Sequence, residues 1–128
     1  MIPKFRAWLK NDKEMIDVDE IHFDNGQLDF IGDAITFMRK ANEIELLQST
    51  GLLDKNGKEI FEKDIVDYRG RKAIVNWHGS YASFIYRFVD ELHKRNAEWN
   101  PLYLAYLKFE VIGNVYENKD LLEASDDQ

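Results

Sequence analysis

The chain has 128 residues, with 24 acidic against 17 basic side chains and a formal net charge of −7. A chain of this length can bury roughly two thirds of the surface that its unfolded form exposes, so it needs no disulfide or metal to fold. The absence of cysteine excludes a disulfide scaffold, a thiol nucleophile and a thiolate metal site.

The start of the chain carries charge immediately, with Lys4 and Arg6, and no apolar run follows it. No stretch approaches the roughly 18 apolar residues of a membrane span. We therefore expect no signal peptide, no membrane partner and a cytoplasmic location.

The first half of the chain alternates apolar and polar side chains in short segments, as β-strands do. Strands are predicted at residues 4–9, 15–18 and 43–48. The clearest signal is Asn25-Gly26, which separates two alternating runs and tolerates the positive φ angles of a type I′ turn. A β-hairpin is therefore predicted there. Residues 33–42 remain open between a short helix capped by Asp33 and a strand.

The second half has a pattern typical of a small barrel or sandwich. A tight turn is predicted at residues 54–57, and strands are predicted at residues 65–68, 73–78 and 82–88. In the second of these strands Trp77 alternates with Ala73 and Val75, so we expect Trp77 to lie in the core.

In residues 89–99 the apolar side chains recur every three to four residues, which predicts a short amphipathic helix. The spacing of Asp90 to Lys94 supports this helix, and Asn100-Pro101 would end it. Strands are then predicted at residues 102–107 and 109–116. Acidic residues dominate the end of the chain.

The spacing of the reactive side chains predicts neither a catalytic site nor a metal site. His22, His78 and His93 form no metal-binding pattern, and residues 54–57 lack the spacing of a calcium loop. Ser80 follows His78 closely, but no third group is in place to orient the imidazole as a base. We expect no enzymatic activity and no cofactor.

Aromatic and basic residues between positions 68 and 87 form the candidate interaction surface. Rings among bases could stack on single-stranded nucleic acid, although most of these rings fall at core-facing positions of strands. An acidic chain also repels phosphates, so a protein partner or a second copy of the chain is expected rather than nucleic acid. The candidate residues are Tyr68, Arg69, Arg71, Lys72, His78, Tyr81 and Arg87.

Three segments, at residues 2–8, 47–66 and 109–118, together resemble the YopX family of phage and prophage proteins. The middle segment, LQSTGLLDKNGKEIFEKDIV, is the most specific. The resemblance implies a β-rich fold with an SH3-like barrel in its second half, a source in phages or prophages of Gram-positive bacteria, and no known chemistry. Lys63 stands where the family usually has glycine, which puts a positive backbone φ at Lys63 in doubt.

The pattern and the resemblance lead to one expected organisation. A small β-hairpin region at residues 1–50 precedes an SH3-like barrel at residues 51–118, with a helical insertion near residues 89–99 and an acidic tail at residues 119–128. We expect these parts to form one compact, mainly β unit. The expected function is that of a non-enzymatic module in the host cytoplasm, which binds a protein or assembles with itself. A nucleic-acid-binding accessory protein is the alternative, and a small enzyme is a more remote one.

Overall fold

The computed structural model describes residues 4–33, 35–94 and 98–123. Strands dominate this part of the chain, and its helical residues occur only in short 3₁₀ turns. The prediction of a mainly β fold is therefore confirmed. The chain divides into two compact units, Met1–Ser49 and Thr50–Gln128.

In the first unit, one strand is central to each of two sheets. Strand β1 pairs antiparallel with β2 and β6, and strand β4 pairs antiparallel with β3 and β5. Strand β6 continues past Ser49 into the second unit. The strands are β1 (Phe5–Leu9), β2 (Glu14–Val18), β3 (Ile21–Asp24), β4 (Gln27–Gly32), β5 (Met38–Lys40) and β6 (Ile44–Leu53), with a 3₁₀ turn at Ala41–Glu43.

The hairpin between β3 and β4 has the predicted two-residue turn. Asp24 pairs with Gln27, and the backbone φ angles are 53° at Asn25 and 79° at Gly26. Two successive positive φ angles are those of a type I′ turn, so the hairpin prediction is confirmed.

The segment between β4 and β5 is neither the helix nor the longer strand that the sequence left open. Asp33 Oδ1 accepts hydrogen bonds from the backbone N–H groups of Ile35, Thr36 and Phe37, at 2.9, 2.8 and 3.1 Å. Asp33 therefore caps a local turn, because its carboxylate satisfies N–H groups that a helix would leave unpaired there.

A compact apolar cluster lies within the first unit. Its buried members are Ala7, Leu9, Ile31 and Ile44. They come from β1, β4 and β6, and partly buried side chains from the neighbouring strands pack around them. Burial of one face of each strand explains the alternating sequence pattern.

A curled five-stranded antiparallel sheet, a half-barrel, forms most of the second unit, in the order β11-β10-β9-β8-β12. Its buried cluster includes Val66, Ala73, Val75 and Phe109. The strands of this unit are β7 (Glu59–Phe61), β8 (Asp64–Tyr68), β9 (Arg71–His78), β10 (Ser83–Phe88), β11 (Asn100–Pro101) and β12 (Glu110–Asn114).

Asp54 joins the turn that follows β6 to the distant strand β12. Asp54 is only 3% exposed. Its Oδ1 accepts from the N–H groups of Asn56 and Lys58, and its Oδ2 accepts from the N–H group of Val111 at 2.8 Å. Burial raises the pKa of Asp54, but hydrogen bonds from the three N–H groups, together with the charge of Lys58, leave the pKa below its ordinary value.

Asn114 organises the turn after β12 in a similar way. Its Oδ1 accepts from the N–H groups of Tyr116 and Glu117, and its own N–H donates to Asn118 Oδ1 at 3.0 Å. The same amide oxygen of Asn118 lies where a Cβ at Gly113 would collide with it. A side chain at position 113 would therefore have to displace the Asn118 amide, which accepts from the Asn114 N–H group.

The doubt about Lys63 was unfounded, because its backbone φ is 69°. Its N–H group donates to the Val75 carbonyl at 2.7 Å, and its carbonyl accepts from Val115 at 3.0 Å. The Lys63 ammonium also donates to Asn76 Oδ1 at 2.8 Å. These three bonds hold a lysine in a backbone region that glycine enters more easily.

Three predictions in the second unit are wrong. Trp77 is 48% exposed rather than buried in the core. Within the described residues, the region predicted as a helix begins with a single 3₁₀ turn, Val89–Glu91, and residues 95–97 lie outside the description. Residues 102–107 form two 3₁₀ turns, Leu102–Leu104 and Tyr106–Lys108, instead of a strand.

The helical segments in the described part of the chain lack the length and the apolar character that a membrane-crossing helix needs.

Candidate interaction surface

The structure separates the predicted interaction residues into two groups. Tyr68, Arg69, Arg71 and Lys72 lie where β8 turns into β9, whereas His78 ends β9. Strand β9 has eight residues, so at about 3.3 Å per residue its ends are about 23 Å apart. The basic turn and the His78 end therefore do not form one continuous platform.

Arg71 is fully engaged by acidic side chains of its own unit. Its Nε donates to Asp90 Oδ2 at 2.9 Å, and its Nη2 donates to Glu91 Oε2 at 2.7 Å. Its guanidinium carbon also lies 3.6 Å from the centre of the Phe88 ring. The hydrogen bond with Asp90 raises the pKa of Arg71 and lowers the pKa of Asp90. Two carboxylates thus neutralise the charge that a phosphate would need.

The other predicted bases are not gathered around Arg71. The Arg69 guanidinium lies 5.2 Å from the centre of the Tyr68 ring. Lys72 alternates with Arg71 along β9, and Arg87 is paired with Ile74, two residues beyond Lys72. Because side chains alternate across a strand, Lys72 and Arg87 lie on the opposite face of the sheet from Arg71.

At the other end of β9, three aromatic side chains contact one another and form what we call the aromatic cluster: His78, Tyr81 and Trp99. The ring centres are 4.9 Å apart for His78 and Tyr81, 4.8 Å for His78 and Trp99, and 4.9 Å for Tyr81 and Trp99. Tyr81 is 65% exposed. The cluster therefore presents aromatic surface to solvent.

Local structure explains how these three rings come together. Tyr81 is the last residue of the 3₁₀ turn Gly79–Tyr81, which directly follows His78. The turn is closed by the Ala82 N–H group, which donates to the Gly79 carbonyl at 3.2 Å. Trp99 immediately precedes β11, which pairs with β10. The chain thus returns Trp99 to the turn from a position eighteen residues later.

Sequence reasoning found His78 and Tyr81 but placed Trp99 on a helix. A signal for the end of the helix was present, because Pro101 disfavours helical backbone at Asn100, which directly follows Trp99. The exposure of Trp77 was missed as well. Its ring meets Phe84 at 5.0 Å in an edge-on arrangement, and about half of its surface remains in solvent.

The aromatic cluster has little of the geometry of a catalytic centre. No hydrogen bond joins His78 to Ser80 among the described residues, and the buried His78 Nδ1 has no hydrogen-bond partner there. A nucleophile requires a base within hydrogen-bond reach, and the base requires a group that orients it. In the same part of the chain, no three His, Asp or Glu side chains are arranged to hold a metal ion.

Comparison with known proteins shows to which proteins the chain is related. The family model described as YopX protein matches residues 4–123. The chain belongs to the YopX family. Within the solved structures, it is similar to the crystal structure of protein EF1440 from Enterococcus faecalis, with 29% sequence identity and a TM-score of 0.64. That match covers 96% of this chain and 99% of the other chain. No curated protein sequence matches the chain.

The segments that resemble the YopX family supply fold-forming contacts. Asp54 lies in the middle segment and Asn114 in the last one. The carboxylate of Asp54 and the amide oxygen of Asn114 each accept hydrogen bonds from backbone N–H groups. The aromatic cluster lies outside all three segments. Membership in the YopX family therefore accounts for the architecture and leaves the use of the exposed rings to be argued from their chemistry.

Proposed function

We propose that this YopX protein is a non-enzymatic interaction protein that binds a protein partner through the aromatic cluster. The observation that carries the proposal is the contact of three aromatic rings at the end of β9, with Tyr81 65% exposed. The resemblance to phage and prophage proteins gives the expected setting, which is the cytoplasm of a host cell.

Exposed tyrosine and tryptophan side chains suit protein contacts for two physical reasons. They bury a large apolar area while losing little conformational freedom, and their polar atoms can still form hydrogen bonds. Interfaces draw much of their binding energy from a few such residues near the centre of the contact. In the cluster, the ring of Tyr81 contacts both His78 and Trp99, which restricts its side chain before a partner binds.

Nucleic acid is the alternative partner for exposed rings, since bases stack on aromatic side chains. That mode also requires basic side chains along the backbone of the strand. Here Arg71 is paired with Asp90 and Glu91, and both Arg71 and Lys72 lie at the opposite end of β9 from the aromatic cluster. The charges of the described residues therefore favour a protein partner over nucleic acid.

A matched pair of tyrosine variants tests the proposal. Tyr81 and Tyr103 both lie on 3₁₀ turns of the second unit, and they are 65% and 60% exposed. We expect Tyr81→Ala to weaken binding to a captured and purified host protein by about ten-fold or more, and Tyr103→Ala to leave it nearly unchanged. Partners are first identified by affinity capture, and the dissociation constants are then measured by calorimetry.

Sedimentation equilibrium of the same variants identifies the case in which the partner is a second copy of the chain. Dissociation of an oligomer by Tyr81→Ala alone would support the proposal in its self-assembling form. Equal effects of the two variants, or loss of binding with Tyr103→Ala only, would contradict a role for the aromatic cluster.

A further inference from the structure

A groove of about 400 Å³ lies within the first unit, between β2 and the segment that runs from the end of β4 to Phe37. Ile16 and Val18 of β2 line one side, and Ile31 and Phe37 line the other. Ile31 belongs to the buried cluster, and the other three side chains pack against it while remaining partly accessible. The floor of the groove is therefore apolar.

The charged residues that line the groove are all acidic: Asp17, Asp19, Glu20 and Asp33. Among the described residues, Asp17 and Asp19 take part in no ion pair, and Glu20 has only His22, at 3.4 Å. Hydrogen bonds from the Thr36 hydroxyl and from the backbone of Ile35, Phe37 and Thr36 keep the pKa of Asp33 well below its usual range. Asp33 therefore stays ionised throughout the physiological range.

The sequence around the groove reinforces this charge. Residues 12–33 contain eight acidic side chains and a single basic one, Lys13. Neighbouring carboxylates strengthen the local negative potential, so a cationic partner is attracted to this side of the unit and an anionic one is repelled.

Strand β2 also lies at the end of its sheet, whose order is β2-β1-β6-β7. An edge strand can accept an extended segment alongside it, with alternate side chains of that segment turned toward the same wall. The groove thus offers an edge, an apolar floor and an acidic rim in one place.

We propose that this groove docks an extended, basic segment of a protein partner. The aliphatic stems of lysine or arginine side chains lie on Val18 and Phe37, and their charged ends reach the carboxylates of the rim. Charge complementarity selects this occupant. The inference rests on the protein-binding function proposed above and specifies the chemistry of a partner segment.

Binding of a labelled peptide that alternates lysine and valine tests the inference. The full chain is titrated at physiological salt and followed by fluorescence anisotropy. The variant Asp19→Asn/Glu20→Gln removes two charges of the segment that follows β2 and lines the groove. The control Asp24→Asn/Asp29→Asn removes two exposed charges of the β3–β4 hairpin, outside the groove. We expect the first pair to weaken binding by about five-fold, because two exposed ion pairs are lost, and the control to weaken it much less.

A second peptide, which alternates lysine and serine, tests the apolar floor. It should bind more weakly than the lysine–valine peptide, since it has no side chain to place against the floor. Equal loss in the two double variants would show a general attraction to an acidic protein and would overturn the inference, as would equal affinity for the two peptides or no binding. All these variants lie in the first unit, so failure here leaves the comparison of Tyr81 with Tyr103 unaffected.

Discussion

At the scale of single residues, Asp54 shows how one buried carboxylate holds a turn against a distant strand. Its two oxygens accept from three backbone N–H groups, of which Val111 lies 57 residues away along the chain. The bond from the Val111 N–H group is buried, so this donor would lose its acceptor without the carboxylate. A buried donor without an acceptor is costly, so the side chain stabilises the fold despite its own desolvation.

Replacement of Asp54 by asparagine should therefore destabilise the protein. The amide retains one acceptor oxygen but presents an N–H₂ group where the second oxygen was, so at least one backbone donor loses its partner. We expect Asp54→Asn to lower the free energy of unfolding by about 1–3 kcal/mol. The control Asp29→Asn, at an exposed position of β4, should change it by less than about 0.5 kcal/mol. Urea denaturation measures both, and equal values would contradict the role of Asp54.

The same residue contributes to the dependence of stability on pH. The pKa of Asp54 in the folded protein lies below its ordinary value of 3.8. Its stabilising contribution is therefore complete above that ordinary value and is lost as the pH falls through the folded pKa. Acid titration of the unfolding midpoint should show a smaller decline for Asp54→Asn than for the unaltered protein.

At the scale of elements, the β3–β4 hairpin is the clearest case of a local sequence that determines its own structure. The turn depends on positive φ at Gly26, and a Cβ placed there would meet no atom within 4 Å. Any cost of a larger residue at this position therefore arises from the backbone conformation and not from a collision.

Gly26→Val should lower the free energy of unfolding by about 1–3 kcal/mol, because a β-branched residue is forced into positive φ. The control Gln27→Val places the same side chain one position later, on an exposed strand residue where it should change stability by less than about 0.5 kcal/mol. Thermal unfolding followed by circular dichroism compares the two. A Gly26→Val variant as stable as the control would contradict the turn assignment.

Strands with alternating patterns could be predicted because their pattern depends on one buried face. The strands β1 and β9 are of this kind, whereas the hairpin was predicted from its Asn-Gly turn. The predicted helix near residues 89–99 failed because a distant side chain competes for its charges. Asp90, which the sequence pairs with Lys94 on a helix, is bound instead by Arg71, nineteen residues earlier.

The candidate site was predicted only in part for the same reason. His78 and Tyr81 are close in sequence, so a local pattern could associate them. Trp99 joins them through the pairing of β11 with β10, and Trp77 is exposed because it stands near the end of β9, beyond the buried positions of Ala73 and Val75. Such features depend on where each strand ends and on which distant segment packs against that end. A period-two pattern specifies neither.

At the scale of the whole molecule, charge and aromatic surface have different roles. The chain carries a net charge of −7, and Arg71, at the opposite end of β9 from the aromatic cluster, is paired with two carboxylates. Binding to nucleic acid draws its energy from phosphates neutralised by lysine and arginine, and it weakens steeply with salt. The exposed rings of the aromatic cluster do not have this support, which is the central reason for preferring a protein partner.

Anisotropy of labelled single-stranded and double-stranded oligonucleotides, titrated at low and at physiological salt, tests this claim most directly. With acidic side chains in excess and Arg71 paired, affinity at physiological salt should be weaker than about 1 μM, as is typical of a protein that makes few phosphate contacts. Sub-micromolar binding that survives physiological salt and is abolished by Tyr81→Ala would contradict the account. It would instead make the aromatic cluster a platform for stacked bases.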